Sequence, residues 1–226
     1  MSDPNLSVIK SEAGAPGLRT IIFDIETGPL DKIELAAMMP TEWPLGNVKD
    51  PEKVKVAIAA KEKAWLEDAA LDALTGRVLA IGTMEAGKFI CLAYDSEPLL
   101  LKRFWNIIQD YQSGLQRIIG FNCNSFDLPF LVRRSWKHGI SPPLDLRNGR
   151  YWSREVVDLR DVWQLGNKQA VGSLSAIAVH LGVGAKSGSG LDFAALWIVD
   201  KKKALEYLRT DLLLTEAIAK RLGVIS

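Results

Sequence analysis

Along this chain, short apolar runs rich in β-branched residues alternate with longer stretches whose apolar positions recur at helical spacing, the pattern of a sheet interleaved with helices. Leu18 to Ile25 (LRTIIFDI) is a continuous apolar run closed by Gly28-Pro29, which predicts a buried first strand. Arg77 to Met84 and Lys88 to Tyr94 predict two more strands, joined by Glu85-Ala86-Gly87 as an antiparallel hairpin. From Pro98 to about Tyr111, Leu100, Leu101, Phe104, Trp105 and Ile108 share one helical face, with Gly114 beyond its end. Arg117 to Phe121 (RIIGF) predicts a fourth strand. Pro129 sits in the first turn of a helix reaching about Lys137 and stopped by Gly139.

In the second half, Glu155 to Leu159 reads as a short fifth strand and Gly172 to Leu181 as a helix. The last long pattern, about Lys201 to Leu222, is helical, with Leu205, Leu208, Leu212 and Ile218 at apolar positions and Gly223 past its end. Two segments stand outside this alternation. Asp31 to Thr75 holds a helix signature, with Asp50 as N-cap, Pro51 at the first position and helix formers to about Leu74, and is expected to be an insertion packed on the core. Gly182 to Gly190 is a glycine- and serine-containing loop. The expected organisation is a flexible N-terminus over residues 1–17, then one domain over 18–226 with a helical insertion at about 31–75.

Composition changes this picture little. The 226 residues suit one large domain, 48% hydrophobic and 24% charged residues are ordinary for a globular chain, and the formal net charge of +1 gives no global attraction to a polyanion. A nucleic-acid role must therefore rest on local positive patches and metal ions. Cys91 and Cys123 match no zinc or redox spacing, so a reduced, cytoplasmic setting is expected. Met1 to Gly17 lacks the basic-then-apolar pattern of a leader and any long apolar span, which argues against secretion and against a membrane partner.

The acidic residues change the picture more. Asp24 and Glu26 lie two apart at the carboxyl end of the first predicted strand, so both project from one face, and two carboxylates so close stay ionised cheaply only beside a cation. Asp127 stands at the entrance to a helix after the fourth strand, and Asp211 lies in the final helix. If the first and fourth strands are neighbours, these groups converge at one edge of the sheet. An all-oxygen ligand set suits magnesium or manganese rather than zinc. Tyr207, four residues before Asp211, shares its helix face; with a reference pKa of ~10 it suits orienting a water better than deprotonating it. Each residue alone has an ordinary explanation, such as a solvated turn, a helix cap or surface decoration. Three separate segments delivering them in one order make coincidence the weaker account.

Phe23-Asp24-Ile25-Glu26-Thr27 resembles the first exonuclease motif of the DEDD superfamily, which includes polymerase proofreading domains and ribonuclease D. Gly120-Phe121-Asn122-Cys123-Asn124-Ser125-Phe126-Asp127-Leu128-Pro129-Phe130 closely resembles the second motif of the family B polymerase proofreading domains. Tyr207-Leu208-Arg209-Thr210-Asp211 resembles the third motif in its tyrosine form, because the position a histidine form requires is Glu206. With His180-Leu181-Gly182 followed by Lys186 between motifs two and three, the arrangement is similar to stand-alone exonucleases related to the family B proofreading domain.

The resemblance implies an α/β, ribonuclease-H-like mixed sheet, three antiparallel strands followed by parallel ones, flanked by helices. It implies a 3′→5′ exonuclease releasing nucleoside 5′-monophosphates, with two divalent ions, Mg2+ or Mn2+, about 4 Å apart. Asp24 would bridge them, Glu26 and Asp211 would hold one, Asp127 would support the other through water, and Tyr207 would orient the attacking water. Substrate contacts are implied for Asn122, Phe126, Thr27 and Lys186, Phe126 being equally suited to the core. The partner is nucleic acid, single-stranded DNA or DNA 3′ ends, with RNA possible; two other readings are an exoribonuclease of RNA processing and a non-catalytic nucleic-acid-binding relative. Arg133, Arg134 and Lys137, and Arg147, Arg150 and Arg154, are either phosphate-tracking groups or a solvated face. His138 and His180 have no metal-ligand spacing and are assigned to structure, as are the scattered tryptophans.

Overall fold

The first strand, β1 (Arg19–Pro29), is the centre of a five-stranded sheet. In this computed structural model, which describes residues 19–109, 116–143, 156–170, 172–185 and 193–225, β2 (Gly76–Glu85) pairs antiparallel with β1, and β3 (Lys88–Leu92) antiparallel with β2. On the other flank β4 (Gln116–Gly120) runs parallel to β1 and β5 (Val156–Asp158) parallel to β4, giving the order β3-β2-β1-β4-β5. This is the mixed sheet expected, with the first and fourth strands adjacent.

Alternation along β1 sends its residues to two apolar layers. Ile21, Phe23 and Ile25 pack against α3 (Glu97–Ile107) and α4 (Asp127–Lys137) through Leu100, Phe104, Leu128 and Leu131. Ile22 faces the other way, toward α6 (Leu174–His180) and the long α8 (Lys201–Arg221), where Ile177, Leu212 and Ile218 are buried. Asp24 and Glu26 share the parity of Ile22 and so point to the α8 face. Gly82, the β2 partner of Asp24, brings α8 close: a Cβ added there would meet Leu212 Cδ1 at 2.7 Å and Leu208 Cγ at 2.9 Å.

The end of β1 and its surroundings need correction. The strand does not stop before Gly28-Pro29; it continues to Pro29 along β2, with a register shift between Glu26 and Thr27. Its ladder with β4 covers only Arg19 to Ile22, so Pro29 needs no partner on that flank and is tolerated. Asp24 and Glu26 thus sit inside a strand whose one flank has already opened. Three short helices also went unforeseen: α1 (Lys32–Met38), α5 (Leu159–Gln164) and α7 (Phe193–Val199), each too short to show periodicity.

Between β1 and β2 lie α1, α2 (Pro51–Asp68) and a 3-10 turn at Ala69–Leu71. The Asp50 carboxylate caps α2 by accepting from Glu52 N and Lys53 N, as its position predicts. The helix ends at Asp68, not near Leu74, because the chain turns there and Asp72 accepts from Leu74 N. α2 buries no residue; the segment packs through Leu35 and Ala69 beside Leu30, and Arg134, which grips both oxygens of Glu97 through Nε (2.9 Å) and Nη2 (2.7 Å), donates through Nη1 to Ala73 O near its end. His138 Nε2 lies 2.8 Å from the same Glu97. Burial raises the Glu97 pKa, but the Arg134 fork, His138 and the Val78 N–H outweigh it and hold the carboxyl below its usual range. No helix among the described residues is long and apolar enough to cross a membrane.

Candidate active site

β4 ends at Gly120 while β1 continues, which leaves the β4-facing backbone of β1 without a strand partner beyond Ile22. The chain supplies one from α4: Ile25 N donates to Asp127 Oδ1 at 3.2 Å. The loop from Phe121 to Phe126 is thereby required to bring a carboxylate, 4% exposed, against the middle of β1. Without a cation beside it, burial pushes the Asp127 pKa up to about 7, opposed by the Ile25 N–H and reinforced by the charge of Asp158.

Asp24 and Glu26 from β1 and Asp211 from α8 each bring a carboxylate oxygen within 4.8 Å of the others. Three acidic groups so close form an all-oxygen donor set of the kind that hard divalent cations such as magnesium or manganese prefer. Asp211 is 5% exposed, and it reaches the sheet because Gly82 leaves room for Leu208 and Leu212 on either side of it. Tyr207, one turn earlier, packs against the small buried cluster of Ala80, Phe193, Ala204 and Leu208 and lines the same cavity.

That cavity has a volume of about 310 Å³ and collects most of the residues that sequence singles out. Asp24, Glu26, Asp127, Tyr207 and Asp211 line it, together with Asn122 and Phe126. Besides lining the cavity, the Phe126 ring packs on the core and lies 5.6 Å from that of Phe130. Thr27 is not among the lining residues, because the register shift after Glu26 comes between it and the acidic pair. Lys186, Arg147, Arg150 and Arg154 lie outside the described residues, as do residues 1–18.

The basic stretch on α4 needs correction. Arg134 is neither a phosphate contact nor solvated; it is 2% exposed and committed to Glu97, while Lys137 pairs with Glu34. His138 belongs to that network, and His180 packs edge-on against Trp163, with ring centres 5.4 Å apart.

Sequence reading missed Asp158 and Arg160. Asp158, 4% exposed at the end of β5, accepts from Asn122 N (2.8 Å), Asn124 N (2.9 Å) and Arg160 N (2.9 Å). Its pKa is raised, burial outweighing those three donors. Asn122 adopts the left-handed conformation, φ +61°, and Asp158 clamps the loop around it. The signal was present: an aspartate closing a β-branched run and capping the next helix. Arg160 lines the cavity and donates from Nη1 to Asn122 Oδ1 at 3.0 Å.

Comparison with known proteins agrees with this geometry. A stretch of 103 residues, 46% of this chain and 54% of the other, is 33% identical to an uncharacterized protein of Methanocaldococcus jannaschii. Over 159 residues, 66% of this chain and 16% of the other, it is 27% identical to DNA polymerase 1 of Sulfurisphaera ohwakuensis. These matches span about half of one curated relative and a small part of the other. The family B DNA polymerase from the hyperthermophilic archaeon Pyrobaculum calidifontis superposes with a TM-score of 0.58 at 19% identity, covering 94% of this chain and 25% of that one, a likeness of fold. Residues 75–222 match a family of predicted 3′→5′ exonucleases related to the exonuclease domain of PolB; that stretch contains Asp127, Tyr207 and Asp211, and the fold adds Asp24 and Glu26 to them from β1. The chain belongs to this family of 3′→5′ exonucleases related to the family B polymerase exonuclease domain.

Proposed function

We propose that this chain hydrolyses terminal phosphodiesters of single-stranded DNA or DNA 3′ ends, working 3′→5′ and releasing nucleoside 5′-monophosphates. In this reading it is of the tyrosine subgroup, and Asp24, Glu26, Asp127 and Asp211 hold two ions, Mg2+ or Mn2+. The observation that carries the reading is the approach of Asp24, Glu26 and Asp211 to within 4.8 Å across the whole length of the chain. When bound, the two ions supply Lewis acidity and charge neutralisation at the scissile phosphate.

The chain's own residues do the rest. Asp24 and Glu26, fixed by the β2 ladder, hold their positions without reorganisation, which is what makes such a site effective. Tyr207 presents its phenol from one turn below Asp211, as a donor that orients the attacking water in line with the scissile bond. Asn122 and Phe126 face the terminal nucleotide, the amide by hydrogen bonding and the ring by stacking, which is worth ~1 to 3 kcal/mol and tolerates any base. Lys186 is assigned to the adjoining strand. The DNA reading is supported by the polymerase relatives.

The test is digestion of a 5′-labelled single-stranded oligonucleotide with magnesium, comparing the unaltered protein with Asp24→Ala. A ladder shortening from the 3′ end, lost in the variant, is expected. Cleavage of circular DNA, or an equal ladder from Asp24→Ala, contradicts the reading, and a matched RNA strand measures sugar preference.

A further inference from the structure

Arg160 is the one cation among the described residues lining the carboxylate cavity, and no role given above uses it. Its backbone N–H is tied to Asp158 and its Nη1 to Asn122, so the side chain is fixed at both ends. On the other edge of the guanidinium, which Nε shares with Nη2, Nε is buried and has no acceptor among the described residues. A buried donor left this way is unfavourable, and the cost is removed when an anion oxygen reaches it. The same edge has a demonstrated use in this molecule, because Arg134 holds both oxygens of Glu97 through Nε and Nη2. That geometry fits two oxygens of a phosphate equally well.

Position decides which phosphate. Arg160 follows β5, two strands from β1, and its guanidinium is held on Asn122 just past β4, so it stands one to two strand spacings, about 5 to 10 Å, to the side of β1. The grouped carboxylates on β1 and α8 are therefore at one side of the cavity, where the scissile phosphate belongs, and Arg160 is displaced from them by about one nucleotide step. We propose that Arg160 grips the phosphate on the 5′ side of the scissile one, so that the site selects a strand with at least two linked phosphates over a mononucleotide ester. The inference rests on the phosphodiesterase function proposed above.

The test compares two substrates with magnesium or manganese: single-stranded oligothymidylate, and the p-nitrophenyl ester of thymidine 5′-monophosphate, which has no second phosphate. Arg160→Gln should lower the ratio of kcat/KM for the oligonucleotide over the ester by about ten- to a hundredfold, the value of a charge-assisted hydrogen bond. The salt dependence of oligonucleotide KM should become shallower by about 0.7 in the log–log slope, one phosphate contact in a single strand. Arg160→Lys keeps the charge and loses the fork, so its ratio should fall less, and it serves alone if the glutamine variant fails to fold. Equal losses on both substrates would overturn the assignment, showing that Arg160 only shapes the Asn122 loop. An unaltered protein that cleaves neither substrate would sink the exonuclease reading, and this inference with it.

Discussion

Gly82→Ala tests whether the seat of α8 on the sheet sets the geometry of the acidic group. The new Cβ would lie 2.7 Å from Leu212 Cδ1 and 2.9 Å from Leu208 Cγ, both on fully buried side chains. Carbon atoms pack at about 3.5 to 4.0 Å, so α8 must back away by roughly 0.5 to 1 Å or its leucines must leave their rotamers. Overpacking of this kind costs about 1 to 3 kcal/mol, while replacing glycine inside a strand returns about 0.5 to 1, leaving a net loss of about 0 to 2.5 kcal/mol, centred near 1.3. Asp211 adjoins the two leucines on the same helix and Asp24 is the β-partner of Gly82, so the same displacement widens the carboxylate group. A misplacement of about 1 Å can lower turnover on the order of a hundredfold. Urea melts give the stability and single-turnover hydrolysis gives the rate; Gly82→Ala with Leu208→Ala should regain activity over Gly82→Ala alone while remaining less stable. A variant destabilised as expected but with an unaltered rate would refute the idea that this contact positions Asp211, and an unaltered melt would refute the contact itself.

Asp158→Asn replaces an acceptor of three backbone N–H groups by a side chain that can accept through one oxygen only, and should cost about 1 to 3 kcal/mol in a urea melt along with a lower kcat. Asp127, raised from 3.8 to about 7, holds a proton in the folded chain that the unfolded chain has released between those values; metal-free stability should therefore fall as pH rises through that window, by at most about 4 kcal/mol. Melts in EDTA at pH 5 and pH 8 measure this, and Asp127→Asn should flatten the difference. Arg134→Met leaves Glu97 buried with half its partners gone and should destabilise by about 3 to 5 kcal/mol, partly recovered by adding Glu97→Gln.

The sheet was legible in the sequence because its strands are β-branched runs closed by glycine or proline, and the convergence of the acidic residues followed from the adjacency of the first and fourth strands. The grouped trio of Asp24, Glu26 and Asp211 matches the acidic positions marked by the motifs. Less legible was anything that depends on where one strand stops beside another. The opening past Ile22 that admits Asp127 comes from the unequal lengths of β1 and β4, and nothing local encodes it. Asp158 and Arg160 escaped notice for a related reason: their meaning lies in contacts with Asn122 and Asn124, more than thirty positions earlier. Arg134 looked like surface charge because α4 carries other basic residues, and only the fold reveals Glu97 opposite it.

The grouped carboxylates come from the first strand and the last helix of the described fold, so the trio joins opposite ends of the chain. During synthesis, a nascent chain that has not reached residue 211 owns two of those three ligands and lacks the face of α8 that closes over them. Contacts between such distant positions also form late in refolding, after local helices and the hairpin. On the proposed function, the site therefore stays incomplete, and the chain inactive on nucleic acid, until residue 211 has been made and α8 has packed on the sheet.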